Sequence, residues 1–67
     1  MIEEAKELIK LGNPTSWAKT KENKGNVDRM ADILCQLAQV NRADCGWCAR
    51  GEVFKHLRKW LEGNGHL

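Results

Sequence analysis

The sequence has no apolar run near the roughly 18 residues that a membrane-crossing helix needs. Its first residues, Met1-Ile2-Glu3-Glu4-Ala5-Lys6, are acidic and amphipathic. They lack the basic and then apolar segments of a secretory leader. A cytoplasmic location without membrane contact is the expectation. The chain also lacks internal repeats and low-complexity tracts. No segment alternates strictly between apolar and polar residues, so no half-buried strand is predicted. No Gly-rich phosphate loop follows a strand, acidic residues are scattered, and no Ser/His/Asp set stands out. A catalytic cleft is hard to build at this size, so the chain reads as non-enzymatic.

What is present is a chain of 67 residues, 42% hydrophobic and 30% charged. This is an ordinary globular balance, with length for one small domain. A domain this short buries only about 60% of the surface its unfolded chain exposes. Chains of this size often add a disulfide, a metal or a partner chain. The net charge is +2 and the sequence pI is 8.6, short of the value above about 9 that marks a dedicated nucleic-acid binder.

Hydrophobic spacing predicts helices throughout. Ile2, Ala5, Leu8 and Ile9 mark an amphipathic helix over about 2–11, ended by Gly12-Asn13. Asn13-Pro14 reads as a cap and first helical proline, opening a short helix over about 14–22 that carries Trp17. Asn23-Lys24-Gly25-Asn26 reads as a break. Asn26 then caps a central helix over about 27–41, with Val27, Met30, Ala31, Leu34, Leu37 and Ala38 on one face. Val53, Phe54, Leu57, Trp60 and Leu61 mark a last helix over about 50–62. Gly63 stops it, and Asn64-Gly65-His66-Leu67 reads as a frayed tail. The fold class is all-α, a compact three- or four-helix domain.

The cysteines are three, Cys35, Cys45 and Cys48. An odd number argues against a secreted disulfide scaffold. Cys45-Gly46-Trp47-Cys48 is a C-x-x-C pair, a spacing that lets two thiolates meet one ion in a tight turn. Structural zinc needs four ligands. Cys35 on the central helix and His56 on the last helix flank the apolar faces, and antiparallel packing of those helices brings both toward the connecting loop. The expected site is therefore a structural zinc on Cys35, Cys45, Cys48 and His56. His66, near the end, has less claim. A bound ion would contribute folding free energy. The bland alternatives are a buried Cys35 acting as a small hydrophobe, a boundary histidine at His56, and a thiol redox pair at Cys45 and Cys48. The redox reading lacks the βαβ pattern of a thioredoxin-like site.

The stretch from Met30-Ala31-Asp32-Ile33-Leu34-Cys35 through Cys45-Gly46-Trp47-Cys48 to Arg58-Lys59-Trp60-Leu61-Glu62 resembles small cysteine-containing proteins of phages and prophages. The likeness covers about residues 30–62. It rests on size, the C-x-x-C knuckle and a basic, Trp-bearing terminal helix. It implies no reaction, only a small accessory protein, with a metal staple among its options. Knuckles of this kind are often completed by a second C-x-x-C or C-x-x-H pair, which this chain lacks.

Lys55, Arg58 and Lys59, with His56 and Arg50, make the last helix basic. This face suits phosphates or an acidic protein surface, although a solvated outer face is the ordinary reading. Trp17 and Trp47 are interface anchors if exposed. Together these features predict a small interaction protein, plausible in a phage or prophage, that binds and modulates a host protein. The alternative is a small nucleic-acid-binding regulator using the basic last helix.

Overall fold

A computed structural model of the chain describes residues 1–12, 21–46 and 52–67. Three α-helices and one 3-10 turn make up this part: α1 (Ile2–Lys10), α2 (Lys21–Ala38), the turn Arg42–Asp44, and α3 (Val53–Gly63). No strand is present among the described residues. The expected helix over 14–22 falls mostly outside them, as do Trp17, Trp47, Cys48 and Arg50.

The core forms where the apolar stripes of the three helices meet. Ala5 and Leu8 come from α1, Met30, Ala31, Ile33 and Leu34 from α2, and Val53, Leu57 and Leu61 from α3. Most of the packing lies between α2 and α3, and α1 touches both. Fully burying one such aliphatic side chain stabilises by roughly 1.5–3 kcal/mol. Ile33, Val53, Leu57 and Leu61 are wholly removed from solvent.

The predicted break at residues 23–26 does not exist. α2 runs through it without interruption. Gly25 costs about 1 kcal/mol relative to alanine inside a helix, but it stands in open space. The tract contains no proline to block the hydrogen-bond ladder. Extending a docked helix by further residues gains backbone bonds without a new nucleation cost. The core burial of Met30 to Leu34 therefore outweighs the weak propensity of the Asn-Lys-Gly-Asn tract.

All three helices end on a left-handed residue. Gly12 has φ of 93° and Gly65 of 79°. Gln39, with φ of 57°, takes the same role after α2. There the Val40 N–H donates to the Cys35 carbonyl (2.9 Å) and the Gln39 N–H to the Gln36 carbonyl (3.3 Å). After α3, the His66 N–H donates to the Leu61 carbonyl (2.9 Å) and the Gly65 N–H to the Glu62 carbonyl (3.2 Å). Both patterns are Schellman closures, which satisfy carbonyls that a helix end leaves open. The tail expected to fray is thus folded back. The His66 ring stacks on Trp60, with centroids 5.9 Å apart and planes within 8°. The Asn64 side-chain amide also donates to the Trp60 carbonyl at 2.8 Å.

Polar contacts on the surface set how the elements sit. Arg29 of α2 grips Glu4 of α1 with both arms of its guanidinium, Nε to Oε2 at 2.7 Å and Nη2 to Oε1 at 2.6 Å. Arg42 in the 3-10 turn reaches back to Asp32 and, at 3.5 Å, to Asp28, one turn apart on α2. Asn41 Oδ1 accepts from the Ala43 N–H at 3.0 Å and opens that turn.

Two substitutions of opposite kind should both stabilise the fold. Gly25→Ala removes a helix-interior glycine, and Gln39→Gly removes a side chain from a left-handed position. Each is expected to add up to about 1 kcal/mol, read as a higher urea midpoint at unchanged slope. A lower midpoint for Gln39→Gly would contradict the closure assigned to it. The Glu4 carboxyl is held below its ordinary value, chiefly by hydrogen bonds from Arg29. A carboxyl lowered on folding stabilises above its unfolded-state pKa and loses that contribution as pH falls through the folded value. The stability gap between wild type and Glu4→Gln should therefore be largest near neutrality and close on acidification. A pH-independent gap in urea titrations would show that the pair does not act through charge.

Candidate functional site

Residues named from the sequence fall into two groups in space. The cysteine group centres on the connection between α2 and α3. Cys35 is a free thiol on α2, only 4% exposed. Cys45, which directly follows the 3-10 turn, is 6% exposed and disulfide-bonded. A half-cystine carries no thiolate, so Cys45 can ligate a metal only after reduction. His56 lies on α3, half-buried, with Nε2 3.5 Å from Glu52 Oε2 one turn before it. Among the described residues, no three Cys, His, Asp or Glu side chains gather as an ion site. Cys35, Cys45 and His56 are therefore not brought together, and Cys48 lies outside the described residues.

The basic group is assembled by α3 alone. Its core stripe is Val53, Leu57 and Leu61, so the 3.6-residue period sends Lys55, Arg58 and Lys59 to the opposite, exposed side. Arg58 is engaged with Glu62, Nε to Oε1 at 3.0 Å. Lys55 and Lys59 have no ion-pair partner among the described residues and stand one turn apart.

A cleft opens beside this basic edge, between α2 and α3. Leu34 and Ala38 line it from α2, and His56, Lys59 and Trp60 from α3, with a volume of about 280 Å³. Lys59 also borders a larger groove of about 490 Å³ over the outer face, lined by Phe54, Lys55, Arg58 and Glu62. Trp60 is half-buried against the core cluster, and the His66 stack supports its ring from the tail. The sequence marked the cations of this site but not its apolar half. Leu34 and Trp60 read as core, and Ala38 as part of the same stripe. The only local signal for the supporting tail is the Asn64-Gly65 pair at the helix end, a left-handed stop.

The size of the cleft limits what it can take. Ligand pockets generally run from about 300 to 1,000 Å³, so this one falls just below them. It accommodates one or two inserted side chains more readily than a cofactor. No helix among the described residues is long and apolar enough to cross a membrane.

No family model, curated protein or solved structure matches the chain.

Proposed function

We propose that this chain is a small, non-enzymatic interaction protein that binds another protein and modulates it through the α2–α3 face. The observation that carries this reading is the Trp60 cleft: an apolar opening bordered by Lys59, which has no ion-pair partner among the described residues, with Lys55 one turn before it on the same helix. Tryptophan anchors in desolvated pockets dominate the energetics of many interfaces. The resemblance to phage and prophage accessory proteins makes a host protein the natural class of partner.

A second reading, nucleic-acid binding by α3, draws on the exposed row Lys55, Arg58 and Lys59. It is the weaker one. Glu62 neutralises Arg58, and Glu52 lies on the same helix end beside His56, so few charges are left for phosphate. Structural zinc on Cys35, Cys45, Cys48 and His56 belongs to the proposal for the reduced chain only, where it would replace the disulfide as the staple of the α2–α3 connection.

The interaction reading is tested by capture from host lysate with the full chain on a support, identified by mass spectrometry. A specific partner held by wild type and released by Lys59→Glu is expected; no specific partner would sink the reading. For zinc, elemental analysis of chelator-free protein is expected to find about one equivalent in the reduced chain and none in the oxidised chain. Metal should be lost in Cys35→Ser and His56→Ala. A reduced chain without metal removes zinc from the account.

A further inference from the structure

We infer that the occupant of the α2–α3 cleft is an acidic amphipathic helix of the partner protein. An aliphatic side chain seats among Leu34, Ala38 and Trp60, and carboxylates on the neighbouring turns meet Lys59 and Lys55. This deepens the interaction reading and rests on it.

Three observations select this occupant. The first is charge. Lys55 and Lys59 are exposed and unmatched among the described residues, while Arg58 is held by Glu62. Lys59 borders the cleft and Lys55, one turn before it, borders the adjoining groove on the outer face, so this edge of α3 is left short of negative charge. Residues at i and i+4 on a helix lie about 6 Å apart, a spacing that a second helix with carboxylates one turn apart reproduces.

The second is shape. The cleft lies between two packed helices and is bordered by residues from successive turns of each: Leu34 and Ala38 on α2, His56 and Trp60 on α3. Each pair is spaced by four residues. Such a groove receives the side-chain ridge of a third helix by the same ridges-into-grooves rule that packs α2 on α3.

The third is the mixture of chemistries. A nucleic-acid backbone would use Lys55 and Lys59 but leave the apolar cleft empty, and it would place phosphates near Glu52 and Glu62. A neutral apolar peptide would fill the cleft and ignore the lysines. Only a segment that is apolar on one edge and acidic on the next uses both halves. The stack of His66 on Trp60 holds the ring in place before binding, which lowers the ordering cost of association.

The probe is a synthetic helical peptide with leucines one turn apart, flanked by glutamates, carrying a fluorescent label. A scrambled peptide of the same composition and a labelled DNA, single-stranded and duplex, serve as comparisons. The acidic amphipathic peptide should saturate the full-length chain in anisotropy titrations. The scrambled peptide should bind about tenfold more weakly or not at all. Methyl signals of Leu34 and the indole signal of Trp60 should move in two-dimensional NMR spectra. Ala38→Phe fills the cleft and is expected to weaken binding by about tenfold or more. Lys59→Glu, at an exposed position, should do the same at low salt, and it serves as the deciding variant if Ala38→Phe does not fold. Equal binding of the scrambled peptide, no binding of the designed one, or DNA binding indifferent to Ala38→Phe each overturns the inference. A lysate partner whose capture survives both substitutions would overturn the cleft while keeping the interaction reading.

Discussion

The packing of α2 on α3 is the contact on which the rest of the structure depends. Met30, Ile33 and Leu34 meet Val53, Leu57 and Leu61 across it. It joins two segments separated by a long connection, and α1 closes over it with only Ala5 and Leu8 fully or nearly buried. The same contact creates the candidate site, because the cleft lies between the two helices, with Leu34 and Ala38 on one side and His56, Lys59 and Trp60 on the other. A substitution that loosens the core therefore also reshapes the surface.

Much of this was readable in the residues, for a physical reason. Periodicity of apolar side chains is a strong signal when a helix has one buried face, and Ile2 to Ile9, Met30 to Leu34 and Val53 to Leu61 all have one. Where the signal was local propensity, it misled. Asn23-Lys24-Gly25-Asn26 has every mark of a turn, yet tertiary docking of the following residues carries the helix through it. The tail misled in the opposite sense. Asn64-Gly65-His66-Leu67 looks disordered, but a left-handed Gly65 lets the backbone fold back and put His66 on Trp60. Gln39 could not be foreseen as a helix stop at all, because its side chain gives no hint of positive φ.

The cysteines show a different limit. Spacing pairs Cys45 with Cys48 and offers Cys35 as a further ligand, but spacing does not set oxidation state. A disulfide and a pair of metal-bound thiolates both call for two cysteines close in the chain. Which one holds the α2–α3 connection depends on the redox poise around the protein, and that is a property of the surroundings. With Cys45 disulfide-bonded, Cys35 is the buried free thiol among the described residues.

The left-handed stops after each helix have a consequence for how the protein reaches its fold. Each stop is made by hydrogen bonds spanning four to six residues, so the helix ends are specified by residues close in the chain. What remains is to dock the helices on one another, above all α2 on α3. Helical domains dominated by near-neighbour contacts fold in microseconds to milliseconds. In this chain the contact of long sequence separation that remains to be made is that of α2 on α3.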